Sequence, residues 1–264
     1  MRVSRRHFLA FTAATTSIHF PALAGSALSP KQAINRSGQL RMLSQRVVKL
    51  YAQLGLGLMP EPSMAALSTA AMQAQGNLVA LRGLAVPQDV REALAKVEGT
   101  WNALRDQVAS TPVREEAPKV SSLADAMLAQ AENLTQLLEA SLGAGMDTPV
   151  NLAGRQRMLS QRIAKCYMLH CWSATDVRER ERLGRSCQDF TQGLGILRTL
   201  GKNTTDIVSR IDMLEFQWGF MNAAFKPEKM GNYNPANARN VAIASDNVLR
   251  IADELTGLYE ALAS

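Results

Sequence analysis

The chain is short of the residues on which most hydrolytic, metal-dependent and disulfide-stapled proteins rely. Its 264 residues include three cysteines, three histidines and only 5% aromatics. Three cysteines cannot staple a chain of this length, so stability must come from apolar burial, for which 47% hydrophobic residues are ample. His7 and His19 fall in a leader-like start, which leaves His170 alone in the remainder and argues against a serine-histidine-acid or histidine-rich metal enzyme. There is no Cys-x-x-Cys-His haem attachment motif, no glycine-rich phosphate loop and no paired-cysteine zinc pattern. No cofactor, no metal and no catalytic residue are therefore expected.

Charge of one sign is also scarce. The formal net charge of +6 includes Arg2, Arg5 and Arg6 of the leader; without them 26 basic residues face 23 acidic ones, a balance of +3 with no basic run, which excludes nucleic acid as the expected partner. The leader reads Ser4-Arg5-Arg6-His7-Phe8-Leu9, then an uncharged Ala/Thr-rich stretch to Phe20 and the small-residue site Ala22-Leu23-Ala24. It resembles a twin-arginine (Tat) export signal, residues 1–24, cleaved after Ala24, which implies a periplasmic protein exported already folded. No later apolar run reaches the roughly 18 residues needed to span a bilayer.

Beyond the leader the segments are rich in Ala, Leu, Gln, Arg and Met, and proline- and glycine-bearing breakers separate them at helical intervals. The pattern predicts eight helices, at about 30–58, 63–83, 87–110, 118–143, 149–173, 176–200, 204–225 and 235–263. They are written as two copies. Asn35 to Arg46 (NRSGQLRMLSQR) returns as Asn151 to Arg162 (NLAGRQRMLSQR), 116 residues on; Trp101 answers to Trp218; and Ala131–Ala140 answers to Ala252–Ala261. The expected fold is all-α: two tandem up-down-up-down four-helix bundles, spanning 25–145 and 146–264.

On the first helix Leu40, Leu43, Val47, Leu50 and Leu54 form the apolar stripe. A second stripe, Asn35, Gly38, Arg41, Gln45 and Lys49, is polar, and Asn151, Gly154, Arg157, Gln161 and Lys165 repeat it. These boxes resemble the first-helix segment of the PilJ-type domain, named for the type IV pili chemotaxis transducer, and of NarX-type nitrate and nitrite receptor kinases. The resemblance implies a periplasmic sensing bundle in which an anion sits where two first helices meet, held by the arginine preceding the methionine. Carried over by position, the ligand-binding residues are Arg41 and Arg157, with Gly38 and Gly154 one turn earlier permitting close backbone approach.

Physical chemistry is consistent with that assignment. Two guanidinium groups about 4 Å apart repel by roughly 4 kcal/mol at an effective dielectric near 20, and a planar oxyanion between their forked donors reverses the sign. Nitrate or nitrite is the expected small-anion partner. Asn35 and Asn151 either contribute to the site or cap their helices, and Gln45 and Gln161 stand within reach of the arginines or a ligand. Arg46, Arg162, Lys49 and Lys165 read as surface salt-bridge residues. The geometry expected is an intramolecular pseudo-dimer, side by side, with Arg41 and Arg157 facing one shared anion site; the rival is end-to-end stacking, which leaves two half-sites needing a second molecule.

Cys166 and Cys187 are nearly equidistant from the turn at 174–176, the relation of facing positions in a helical hairpin. One reading is a disulfide between them, with Cys171 as a competing partner; the other is buried thiols serving as small hydrophobes. Functionally, the leading expectation is a small-anion sensing protein that reports to a membrane receptor or respiratory partner. The alternative is a helical adaptor whose polar seams dock another protein's helices.

Overall fold

The structure is a computed structural model that describes residues 28–143, 148–173, 177–225 and 233–262. The expected leader, its cleavage point and the boundary between the two copies lie outside the described residues. Among those residues the fold is all-α, with eight helices: α1 (Pro30–Gly55), α2 (Pro60–Arg82), α3 (Gln88–Val108), α4 (Ala117–Leu142), α5 (Thr148–Ser173), α6 (Val177–Arg198), α7 (Thr205–Asn222) and α8 (Pro235–Leu262). Short 3-10 turns cover Arg114–Glu116 and Ala223–Phe225.

The helix starts follow local chemistry. Ser29 caps α1 with a capping box: its hydroxyl accepts from the Gln32 amide while the Gln32 side chain accepts from the Ser29 amide. Thr204 caps α7 in the simpler way, through the Ile207 amide. The second helix begins three residues before the expected position, at Pro60. Proline reads as a breaker in the sequence pattern, but Pro60 and Pro62 both fall in the first turn, where the backbone N–H has no intrahelical acceptor and proline costs nothing. The connection is correspondingly tight, with Gly57 and Met59 both in the left-handed region (φ 65° and 49°).

Two helices carry the core. α1 packs on α2 and α4, α5 packs on α6 and α8, and α1 and α5 pack on each other. Within each copy the third helix lies on the fourth. The pairing of α1 with α5 is parallel: Asn35 meets Arg157 near the starts, Arg46 meets Gln161 midway, and Tyr51 stacks edge-on against Trp172 near the ends, ring centroids 5.6 Å apart. Trp172 also closes over Gly55, where an added Cβ would fall 2.2 Å from the indole ring. The tryptophans of the third helices are core anchors, Trp101 donating to Gln75 and Trp218 to Thr191 on the preceding helix.

Candidate functional site

The polar seam of α1 and α5 is buried, since both helices are covered on three sides. Arg41 and Arg157 are almost fully enclosed. Each guanidinium folds back along its own helix over the glycine three residues earlier: a Cβ at Gly38 would lie 3.1 Å from Nη2 of Arg41, and one at Gly154 would lie 3.3 Å from Nη2 of Arg157. This corrects the expected role of the glycines. They make room for the arginine head of the same helix rather than for the backbone of a facing one.

Each arginine is met by a carboxylate from the fourth helix of its own copy. Arg41 Nη1 lies 2.5 Å from Glu132 on α4, and Arg157 Nη1 lies 2.6 Å from Asp253 on α8. The carboxylates are half in water, Glu132 at 45% and Asp253 at 63% side-chain exposure. Two turns further on, Glu139 and Glu260 lie within the field of the same arginines. Burial holds both above the ordinary carboxylate range, with Arg41 pulling Glu139 down and Glu132 pushing it up, and Arg157 and Asp253 acting likewise on Glu260. Arg157 also crosses to α1, where Nη2 donates to Asn35 Oδ1 at 3.1 Å. Asn35 is thus brought to the second copy's arginine and sits inside α1, past its cap. Asn151 lies in the first turn of α5.

Further along the seam, the lysines exchange partners between copies. Lys49 of α1 reaches Asp246 on α8, and Lys165 of α5 reaches Asp125 on α4, both at 2.7 Å. Both lysines are fully buried, which overturns their reading as surface residues; the parallel α1–α5 contact encloses the stems and brings each ammonium to a carboxylate from the opposite copy, with the Ala242 carbonyl also accepting from Lys49. Arg46 is mostly buried and joins Asp246 at 2.5 Å, while Arg182 of α6 joins Asp125 at 3.3 Å. Burial opposes the negative charge on Asp246, but Lys49 and Arg46 outweigh it and hold the carboxyl below its usual range. Asp125 is depressed in the same way by Lys165, Arg182 and Arg162. Burial pushes Lys49 down to about 8, with Asp246 opposing the fall and Arg46 adding to it.

The side-chain amides of Gln45 and Gln161 are engaged elsewhere than on the guanidiniums of Arg41 and Arg157. Their amide nitrogens donate to the main-chain carbonyls of Ala124 and Ser245, tying each first helix to its fourth, and Gln161 Oε1 accepts from Arg46. The three cysteines are free thiols, so the Cys166–Cys187 bridge is not formed. The Cys166 thiol is buried against Glu179 instead, and burial drives its pKa far up. Burial raises Cys187 to about 12. Among the described residues no three of His, Cys, Asp and Glu gather as a metal site. The fourth-helix acids Glu132, Asp253, Asp125 and Asp246 were not singled out from the sequence. The signal that points to them is the second repeat, Ala131–Ala140 against Ala252–Ala261, which contains the first pair and, extended two turns upstream, the second.

The PilJ family, described as "Type IV pili methyl-accepting chemotaxis transducer N-term", matches residues 23–145 and again residues 141–222. No curated protein and no solved structure matches the chain. Among the described residues no helix is long and apolar enough to cross a membrane.

Proposed function

From the premise that this chain belongs to the PilJ family, in two tandem copies of a chemotaxis-transducer sensing domain, we propose that it senses a small oxyanion, nitrate or nitrite, in the periplasm. Export through the Tat-type leader brings the folded protein there, and occupancy is passed to a membrane receptor or a respiratory partner. Arg41 and Arg157 hold the anion. The supporting observation is that both arginines are buried while the carboxylates that neutralise them are half in water. An exposed carboxylate is weakly held because water competes for it, so a planar anion offering two acceptor oxygens can take its place on the guanidinium fork. Displacement of Glu132 or Asp253 then frees a fourth helix to move against its first, which couples binding to shape.

Calorimetry with nitrate, nitrite and chloride tests the reading. Nitrate or nitrite binds the wild type in preference to chloride, and Arg41→Ala and Arg157→Ala each weaken it at least tenfold. Undiminished binding in both variants removes the site. Absence of binding by the wild type favours the adaptor reading, which has an observation of its own: Phe216 and Phe220, stacked edge-on along α7, are each 64% exposed.

A further inference from the structure

A groove of about 510 Å3 runs between α1 and α2 of the first copy and α8 of the second. That volume suits a small organic ligand rather than a single inorganic ion. Its floor is apolar, made by Met42, Leu43 and Leu249, and amides of Gln39, Gln73 and Asn77 line one wall. Arg36, Arg46 and Arg250 supply cationic heads. Asp246 and Asp253 also face the groove, but both are engaged already, Asp246 by Lys49 and Arg46 and Asp253 by Arg157. Arg250 pairs with Glu254 at 2.6 Å, whereas Arg36 donates to Asn77 Oδ1, a neutral acceptor, at 3.1 Å. Counted with their partners, six cations (Arg36, Arg46, Lys49, Arg157, Arg210 and Arg250) meet three carboxylates (Asp246, Asp253 and Glu254) here, and the surplus charge favours an anion.

Two further observations bear on this groove. Gly76 lines it from the interior of α2, and a Cβ built there would meet nothing within 4 Å. Glycine weakens a helix relative to alanine, yet here its missing side chain leaves the wall open. The second observation comes from the duplication. Arg36 is matched in the second copy by Leu152, Arg250 is matched in the first copy by Ala129, and Arg155, which replaces Gln39, is tied to Asp189. The bundle forms without cations at those places, so packing does not account for the two arginines.

We propose that this groove binds a short organic dicarboxylate. Arg36 and Arg46 stand ten residues apart on α1, about 15 Å along the axis, with Arg250 between them on the opposite wall. That separation exceeds the roughly 5 Å between the carboxyl carbons of a four- or five-carbon acid, so its two carboxylates engage Arg250 and Arg36, and the methylenes between them rest on Met42 and Leu249. The site is separate from the oxyanion reading of Arg41 and Arg157 and shares with it only Asp253, the partner of Arg157.

Titration calorimetry of the full protein with succinate and glutarate tests the assignment, with nitrate titrated in parallel. At least one dicarboxylate binds the wild type with a Kd of about 1 mM or tighter. Arg36→Ala and Arg250→Ala each weaken it about tenfold, and Gly76→Leu, which fills the groove from an unobstructed position, abolishes it. Gly76→Ala retains binding and controls for helix effects, while far-ultraviolet circular dichroism checks that each variant folds. Nitrate affinity stays within twofold in the Gly76 variants, so failure of either site is read separately from failure of the other. No heat from either acid up to about 10 mM, or dicarboxylate binding undiminished in Gly76→Leu and Arg36→Ala, overturns the proposal.

Discussion

The two copies agree along their shared seam and differ on their flanks. Arg41–Glu132 is repeated by Arg157–Asp253, the Gln45 bond to Ala124 by that of Gln161 to Ser245, and the crossed pair Lys49–Asp246 by Lys165–Asp125. Away from the seam, Leu40 is replaced by Gln156, Asn77 by Gly193 and Arg36 by Leu152. The contrast separates two kinds of position. Those that lock first helix to fourth helix, or one copy to the other, are held by geometry common to both copies. Flanking positions lie outside that lock and are free to specialise, as the groove beside α1 does. Crossed lysines also mean that neither copy satisfies its own seam, since each buried ammonium depends on a carboxylate belonging to the other.

Removing those carboxylates strains the comparison most. A buried charge that loses its partner costs about 3–5 kcal/mol. Asp125→Ala abandons Lys165 in an enclosed position and should cost about 4 kcal/mol, because only 20% of the Asp125 side chain is exposed and little water can take its place. Asp246 is 43% exposed, and Lys49, already lowered to about 8, can shed its proton once the acid is gone. Asp246→Ala should therefore cost about half as much. Urea unfolding at pH 7 reads both; a loss under about 1 kcal/mol for Asp125→Ala would mean that the crossed pairs do not hold the copies together.

A pH series sharpens the same contrast with a somewhat smaller effect. Unfolded, Lys49 titrates near 10.5; folded, it titrates near 8. Below pH 8 both states carry the proton and the native state bears the cost of a buried ammonium. Between about 8 and 10.5 the unfolded chain binds more protons, so this residue's contribution to stability rises with pH, by up to roughly 3 kcal/mol. In Lys49→Met that rise should vanish while Arg46 still holds Asp246. Stability measured at pH 7.5 and pH 10 should thus increase less in the variant than in the wild type, by about 2–3 kcal/mol. Parallel profiles for the two proteins would show that Lys49 is charged to the same extent folded and unfolded.

Much of this architecture is legible in the chain because its cues are local or repeated. Breakers at helical intervals mark the eight helices, and the doubled NRSGQLRMLSQR box marks the duplication and the arginines. Proline misled only where it falls in a first turn, at Pro60 and Pro62, since composition does not say whether a proline ends one helix or opens the next. The partners of the seam were hidden for a different reason. Glu132 and Asp253 lie more than ninety residues from their arginines and, taken alone, look like ordinary solvated helix charges; half of their surface is indeed in water. Lys49 and Lys165 were misjudged because burial of a lysine depends on what covers it, and the cover is the other copy. The thiols of Cys166 and Cys187 share a hairpin as expected, but equal distance from a turn does not fix which way a helix is rotated, and Cys166 is turned to Glu179.

The smallest effect tests the divergent flank. Gln156 occupies the place of Leu40, is fully buried, and neither its amide nitrogen nor its oxygen has a hydrogen-bond partner. It fits only because position 193 is glycine, where a Cβ would come within 1.9 Å of Nε2; the first copy carries Asn77 at the matching position. Burying an amide without partners costs more than any packing it contributes, so Gln156→Leu, which restores the first copy's residue, should stabilise the protein by about 1–2 kcal/mol in urea unfolding. Leucine is similar in volume but branched, and Gly193 leaves it space. If Gln156→Leu destabilises instead, the amide is satisfied by water admitted through the Gly193 gap, and the difference between the copies is a hydrated pocket in the second rather than a poorer core.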